Sequence, residues 1–225
     1  MSLAVVQYGH PALRQKGVRV TAVTPEIREF IELLVETMYG AHGIGLAAQQ
    51  VGRALQVAVV DVRGVKDRPS QLWLDGEPAD VAAFMPLVLI NPVVTPAGPA
   101  AGGPEGCLSF PEIFGEIVRP DPVDVETWDE DGQVVKFRAG GLLGRAIQHE
   151  TDHLNGILFI DRMSKATRDE LRPELDQLQA ETKAALAGNS PAGRDARERR
   201  GGGRRVRAGF APRLSPPCNE GSSSV

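Results

Sequence analysis

Residues 148–153 read Gln-His-Glu-Thr-Asp-His, and this stretch decides how the rest of the sequence is interpreted. In a helix, His149 and His153 lie about one turn apart on the same face, so their imidazoles can bind one metal ion. Glu150 then lies beside the open position of the metal and can take a proton from metal-activated water. Alone, the pattern is equally compatible with two ordinary surface or core histidines.

The residues before this motif favour a buried helix over residues 141–154. Its first turns are apolar, with Leu142, Leu143, Ala146 and Ile147. A buried glutamate between two histidines needs polar partners, and a metal ion supplies them. The motif and its setting together predict a metal site on a buried helix.

Two histidines leave a catalytic metal site one protein ligand short. No histidine follows His153, so Asp161, Asp169 and Glu170 are conceivable third ligands. Cys107 is the other candidate, because it is the only cysteine before residue 189 and lies in a glycine-containing turn. A thiolate and two imidazoles would leave one position for water.

A second glycine-containing segment, GIGLAAQQVG at residues 43–52, follows the first predicted helix. Its small residues are compatible with close backbone packing between a helix and a strand. A functional interpretation lets a substrate backbone approach the glycines closely, with Gln50 as an amide that holds an oxyanion. The segment is not a phosphate loop, because the Lys-Ser/Thr ending is absent.

Other elements follow from local patterns. Thr24 is the predicted N-cap of a helix that stops at residues 40–43, and Ser164 caps a last helix that reaches about residue 186. Pro173 predicts a kink or a late start in that helix. Residues 64–83 are polar and are interpreted as a loop insertion. Predicted strands cover residues 56–62, 87–94, 117–118, 123–127 and 134–137.

Composition limits the class of protein. Of the 225 residues, 42% are hydrophobic, and the net charge is -4, which argues against a nucleic-acid-binding body and specific DNA binding. No apolar run is long enough for a membrane span. The start of the chain lacks the pattern of a signal peptide, and only two cysteines are present, so a cytoplasmic setting is expected.

The C-terminal segment differs from the rest. Residues 189–225 hold eight arginines and three acidic residues, which leaves 17 basic and 26 acidic residues in residues 1–188. We predict a catalytic domain over residues 1–188 and a disordered tail over residues 189–225, whose apolar content is too low to offset ordering entropy. A specific binding role for the tail is the alternative.

Three blocks together resemble the peptide deformylase family. Its motif G-x-G-L-A-A-x-Q matches residues 43–50, E-G-C-L-S matches residues 105–109, and Q-H-E-x-D-H matches residues 148–153. The similarity covers roughly residues 4–186, and only the insertion at 64–83 and the arginine-rich tail depart from it. Rival interpretations are a metallopeptidase with the same ligands and a non-catalytic ribosome-binding homologue; the intact motifs argue against both.

The resemblance implies an α+β fold in which short antiparallel β-sheets pack around the central motif helix, with a C-terminal helix. It implies that Cys107, His149 and His153 hold one divalent metal ion. Fe²⁺ is favoured in the working enzyme, and Zn²⁺, Ni²⁺ and Co²⁺ suit the same ligands.

The implied activity is hydrolysis of the N-formyl group of formylmethionine on nascent polypeptides, with release of formate. Metal-bound water would be the nucleophile and Glu150 the general base and acid. The oxyanion would meet the metal, the Gln50 amide and the backbone N–H of Leu108. Formylated nascent chains are the expected partners, and the ribosome is a further one through the tail.

The substrate peptide is expected to lie extended beside residues 43–45, which are Gly43, Ile44 and Gly45. Ile44, Ala146 and Ile147 are candidate walls for the methionine pocket, with ordinary core packing as the alternative. Arg119 is either a contact to a peptide carbonyl or a solvated surface charge.

Overall fold

Nine strands and four α-helices form over residues 2–188, the part of the chain that this computed structural model describes. The helices are α1 (Pro25–Gly40), α2 (Gly141–Leu154), α3 (Lys165–Glu170) and α4 (Arg172–Leu186). The strands are β1 (Gly45–Ala47), β2 (Val57–Val60), β3 (Ser70–Leu74), β4 (Glu77–Pro78), β5 (Leu87–Pro96), β6 (Ala100–Cys107), β7 (Phe110–Pro120), β8 (Val123–Trp128) and β9 (Val134–Gly140). Short 3-10 helices cover Pro11–Arg14, Ala48–Val51, Ala82–Phe84 and Phe159–Asp161.

The strands form two sheets in which every neighbouring pair is antiparallel. The larger has the order β1-β2-β5-β8-β9-β3-β4, and the smaller consists of β6 and β7. Strand β1 is therefore an edge strand of the large sheet, and β6 pairs only with β7 among the described strands. The predicted α+β fold with antiparallel sheets around a central helix and a C-terminal helix is confirmed.

The large sheet lies between two helices, and the alternation of β2 shows how. Ala58 and Val60 belong to the core cluster that includes residues of α2, whereas Val57 and Val59 belong to the cluster that includes residues of α1. Successive side chains of a strand point to opposite faces, so α1 and α2 cover opposite faces of the sheet. All four strand residues are fully buried, which explains their continuous apolar run.

A third apolar cluster anchors the small sheet. Phe110 and Ile117 of β7 pack with Phe159 and Leu175, the latter from α4. The Phe110 and Phe159 rings meet edge to face with centroids 5.0 Å apart. This packing holds the end of the β6–β7 hairpin, and with it Cys107, near the C-terminal end of α2.

The prediction of a loop over residues 64–83 is wrong in part, because this segment contains strands β3 and β4. Strand β3 pairs with β9, and Asp75 and Gly76, both with positive φ, turn the chain into β4, which forms the sheet edge. Asp-Gly is a strong hairpin signal, but the polar, proline-containing surroundings hid it. The insertion therefore extends the sheet.

Two other strands were missed because their residues are poor strand formers. Strand β1 lies in the glycine-containing segment interpreted as a loop, and β6 contains Gly102, Gly103 and Pro104. Both depend on pairing with a distant partner, which local propensity does not reveal.

The predicted bounds and starts of the later helices agree with the structure. Helix α2 has the predicted bounds, and Ser164 accepts a hydrogen bond from the backbone N–H of Thr167. Pro173 marks a late start, since α4 begins at Arg172 as a helix separate from α3. Strand β5 continues past Pro92 because its pairing register shifts between Ile90 and Val93.

No helix within residues 2–188 is long and apolar enough to cross a membrane. The predicted tail, residues 189–225, lies outside the described residues.

Candidate metal centre

The structure brings Cys107, His149 and His153 together. The sulfur of Cys107 lies 3.3 Å from Nε2 of His153, and the two imidazole rings have centroids 5.0 Å apart. One ligand atom from each of the three residues lies within 4.8 Å of the others. That separation suits side chains that share one ion at bond lengths of about 2.0–2.3 Å.

Glu105 fixes the orientation of His149. Nδ1 of His149 lies 2.9 Å from Oε2 of Glu105. Burial opposes ionisation of Glu105, but hydrogen bonds from His149 and Arg119 outweigh it and hold the pKa of this carboxyl well below its usual range. A carboxylate only accepts hydrogen bonds, so Nδ1 carries a proton and Nε2 is the nitrogen left to bind a metal ion.

Arg119 is neither a surface charge nor a free contact for a peptide, so both interpretations of it are wrong. It is 4% exposed and donates to Glu105 at 2.6 Å and 2.9 Å and to Asp152 at 2.8 Å. Arg145 adds a bond of 2.9 Å to Glu105, and Arg162 bonds to Asp152. A buried guanidinium needs such partners.

The supporting role of this network escaped the sequence interpretation. Glu105 and Asp152 are motif residues next to the candidate ligands, but an acidic residue in sequence does not reveal its partner. The motif itself could have indicated a supporting role for these two acids, because buried acids beside metal-binding histidines usually orient the histidines.

Glu150 lies beside the three candidate ligands with an unsatisfied carboxylate. It is 4% exposed, and its Oε2 has no hydrogen-bond partner among the described residues. Desolvation raises the pKa of Glu150 to about 7. A carboxyl group with a pKa near neutrality is suited to take up and release a proton.

The side-chain amide of Gln50 faces the same group of candidate ligands. Its Oε1 accepts the backbone N–H of Ala47 at 2.8 Å, which fixes the side chain. Its Nε2 lies 3.4 Å from the sulfur of Cys107 and 3.4 Å from Oγ of Ser109. The amide N–H₂ therefore faces the candidate ligands, and Leu108 follows Cys107 in the turn between β6 and β7.

A cleft of about 630 Å³ opens onto this centre. Its lining includes Gly43, Ile44, Gly45, Gln50, Cys107, Leu108, Ala146, His149 and Glu150. Ile147 is the exception among the predicted pocket residues. Its side chain is fully buried on the core-facing side of α2 and does not line the cleft. A residue two positions before His149 faces away from it on a helix, whereas Ala146, three positions before, shares its face.

The alternative third ligands lie elsewhere. Asp161 forms an ion pair with Arg14, and Asp169 bonds to Lys165 at 2.8 Å. Glu170 is exposed on α3. Within residues 2–188, the cluster suited to a metal ion is the one that contains Cys107.

These residues fit a metal ion by donor chemistry and geometry. A thiol and two buried imidazoles converge, and one imidazole is already held in the tautomer that binds metal. An α+β fold with a buried acid between two such histidines is typical of hydrolases that use a metal ion.

Comparison with known proteins narrows the class to a family. The family model described as Polypeptide deformylase matches residues 2–169. The chain is 44% identical over 188 residues to a peptide deformylase of Opitutus terrae, with coverage of 82% of this chain and 97% of that protein. It is 43% identical to one of Methylacidiphilum infernorum, with coverage of 79% and 93%.

A solved structure agrees with these relatives. The crystal structure of a peptide deformylase from Synechococcus elongatus in complex with actinonin is 40% identical, with a TM-score of 0.65 and coverage of 78% of this chain and 85% of that one. The chain belongs to the peptide deformylase family.

Proposed function

We propose that this chain hydrolyses the N-formyl group of formylmethionine at the start of nascent polypeptides and releases formate. The observation that carries the proposal is the buried, unpartnered carboxylate of Glu150 beside Cys107, His149 and His153 at the base of an open cleft. Family membership supplies the substrate class. Nascent chains are made in the cytoplasm, which is the proposed place of action.

Cys107, His149 and His153 would hold one divalent metal ion. When bound, the metal supplies a Lewis acid that polarises the formyl oxygen and makes water more acidic. The mixed thiolate and imidazole set suits Fe²⁺, Zn²⁺, Co²⁺ and Ni²⁺. We assign Fe²⁺ to the working enzyme on the family resemblance.

Glu150 acts as the general base and then as the general acid. Its carboxylate removes a proton from the attacking water while the water oxygen bonds to the formyl carbon. The same carboxyl group then gives the proton to the amide nitrogen as the C–N bond breaks. Its pKa of about 7 suits both steps near neutral pH.

Gln50 and Leu108 stabilise the negative charge that develops on the formyl oxygen. The Gln50 amide is held by Ala47 with its N–H₂ directed toward Cys107, and the backbone N–H of Leu108 follows the same cysteine. Donors fixed before the reaction cost no reorganisation, and each is worth about 3 kcal/mol of barrier.

The peptide binds in extended form beside Gly43–Gly45. Strand β1 is an edge strand of the large sheet, and its first residue, Gly45, lines the cleft, so the backbone there can pair with a substrate strand. Ile44, Leu142 and Ala146 form apolar walls for the unbranched methionine side chain. Leu142 thus takes the place that Ile147 was predicted to have.

The direct test is formate release from formyl-Met-Ala-Ser by anaerobically purified protein, compared with Glu150→Gln. Rapid release by the wild type and loss in the variant, at equal metal content, is the expected result. Removal of the metal with a chelator should abolish release, and Fe²⁺ should restore it. A fully metallated wild type without formate release would refute the proposal, and cleavage of unformylated peptides would indicate a metallopeptidase.

Residues 189–225 supply a second proposed contact. Eight arginines against three acidic residues favour a weak electrostatic attraction to ribosomal RNA. Such attraction would raise the local concentration of the enzyme where formylated chains emerge.

A further inference from the structure

The inserted segment is fixed to the start of the metal-site helix. The carbonyl of Pro69 accepts the backbone N–H of Leu142 at 3.0 Å, and Oγ of Ser70 accepts that of Leu143 at 3.2 Å. Ser70 also forms a bridge with Gly141. The first N–H groups of a helix lack partners within it, so these bonds cap α2 and hold the insertion in place.

This attachment places Arg68 in the wall of the cleft. Arg68 is half-buried and lines the cleft together with Leu142 and Ala146. No hydrogen bond or ion pair joins its guanidinium to any residue that the structure describes. Arg145, the other arginine of this wall, instead bonds to Glu105 and to the carbonyl of Ala101 at 2.9 Å each.

Arg68 is therefore a cation with unused donors, held beside the substrate path by the fixed segment behind it. A guanidinium presents a rigid fork that matches a carboxylate with two parallel hydrogen bonds. The neighbouring apolar side chains reduce the exposure of such a pair to water, which strengthens it relative to a pair on an open surface.

We propose that Arg68 selects peptides with an acidic side chain at the third residue, counted from formylmethionine. The inference rests on the proposed function and on the extended binding beside β1. In an extended peptide, residues one and three point to the same side and are about 7 Å apart. If the methionine side chain contacts Leu142 and Ala146, the third side chain extends along the same wall, where Arg68 lies.

A negative charge carried by another element of the cleft makes the proposal discriminating. Glu112 also lines the cleft, but it belongs to β7 of the small sheet. A peptide whose second side chain points to that side would meet a negative charge there. An acidic residue should therefore help at position three and not at position two.

The experiment measures kcat/KM for formate release from formyl-Met-Ala-Xaa-Ser-amide, with Glu, Gln or Lys as the third residue. For comparison, the second residue is varied in the same way, and the first set is also measured with a free C-terminal carboxylate. The C-terminal amide removes the other carboxylate that could reach Arg68. For the wild type, we expect glutamate to exceed glutamine by about 5- to 10-fold, through KM, as for one partly shielded charge-assisted pair. High salt should reduce the ratio.

Arg68→Ala should bring the glutamate-to-glutamine ratio to about one, and Arg68→Lys should restore part of the preference. Lys66→Ala is the matched control, because Lys66 is an exposed cation of the same segment that does not line the cleft. It should keep the wild-type ratio. Arg68 bonds to no described residue, so its variants should unfold at the wild-type temperature.

Several outcomes would overturn the assignment. An equal rate for glutamate and glutamine, a preference that survives Arg68→Ala, or a preference for glutamate at position two would each do so. A preference seen only with a free C-terminal carboxylate would show that Arg68 binds the chain end instead of the side chain. Absence of formate release from every peptide would instead refute the proposed function, so the two failures are distinguishable.

Discussion

The carboxylate of Glu150 lies directly against the backbone of Gly45, and the two residues come from different elements. A β-carbon on residue 45 would stand 2.3 Å from Oε1 of Glu150. Real contacts of that length do not occur, so either the strand or the carboxylate would have to move. The glycine of β1 thus sets the position of the proposed general base.

Gly45→Ala should therefore displace Glu150 and reduce kcat for formate release by about 100-fold or more, which is the lower range for loss of a positioned base. Metal content should stay near that of the wild type, because the three atoms nearest to the added methyl group all belong to Glu150 and not to a candidate ligand. Gly40→Ala is the control, since a β-carbon there has nothing within 4 Å. Full activity in Gly45→Ala would show that Glu150 does not act from its observed position.

The pair of Glu105 and His149 leads to a second prediction. Glu105→Gln should weaken metal binding about 10- to 100-fold, because the amide no longer enforces the required tautomer of His149. It should also lower the free energy of unfolding by about 3 kcal/mol, because Arg119 and Arg145 lose a buried counter-ion and Arg119 keeps only Asp152. Competition with a chelator measures the first effect, and urea unfolding measures the second.

Asp124→Asn provides the matched comparison. Its ion pair with Arg138 has a similar distance of 2.7 Å, but the two side chains are 51% and 47% exposed. An exposed pair contributes under about 1 kcal/mol, so this variant should be nearly neutral. Equal losses of unfolding free energy in Glu105→Gln and Asp124→Asn would mean that burial does not strengthen the Glu105 ion pairs.

Local signals predicted much of the fold and the centre of the site. The bounds of α2 and the positions of His149 and His153 follow from helical periodicity, which depends on residues a few positions apart. The choice of Cys107 over Asp161 did not follow from spacing alone, because it depends on how the β6–β7 hairpin packs near α2. The motif resemblance supplied that long-range information.

The features that sequence reasoning missed are long-range as well. Strand β6 contains glycine and proline and forms only because β7 pairs with it. Arg119 has the sequence context of a surface charge, and its buried partners Glu105 and Asp152 lie 14 and 33 residues away. Propensity scales contain neither kind of information.

Gln50 gives a prediction that separates its two roles. In Gln50→Glu, Oε1 can still accept the N–H of Ala47, but the N–H₂ donor that faces Cys107 is lost. We expect kcat to fall by about 100- to 1000-fold, the cost of one oxyanion donor. Gln49→Ala is the comparison, because the buried Gln49 amide donates to the carbonyl of Leu154 and should affect stability instead. Unchanged kcat in Gln50→Glu would exclude Gln50 as the donor.

Asp61 should make stability depend on acid pH. Burial opposes its ionisation, but hydrogen bonds from Arg63 and Tyr39 outweigh burial and lower the pKa of Asp61. Because the folded-state pKa lies below the unfolded value of about 3.9, the stabilisation is present above that pH. It is lost as pH falls through the folded-state pKa.

The measurement is urea unfolding of the wild type and Asp61→Asn at several pH values from 7 to 3. The difference in unfolding free energy should be constant near neutrality and should shrink below about pH 4. Asp67→Asn, which removes the charge of an exposed acid nearby, controls for net charge. A difference that grows as pH falls would reverse the assigned direction of the shift.

Truncation after Gly188 tests the predicted domain boundary and the proposed role of the tail separately. The matched family model ends at residue 169 and the described helix α4 ends at Leu186, so truncation after Gly188 keeps every residue that forms the described centre. We expect unchanged kcat/KM for formyl-Met-Ala-Ser, whereas co-sedimentation with ribosomes should weaken at low salt and differ little at high salt.

Replacement of the eight arginines by glutamine in the full chain should reproduce the loss of ribosome binding, because it removes charge at constant length. A large loss of peptide turnover on truncation would place the domain boundary beyond residue 188. Unchanged ribosome binding in both variants would assign any ribosome contact to residues 1–188 instead.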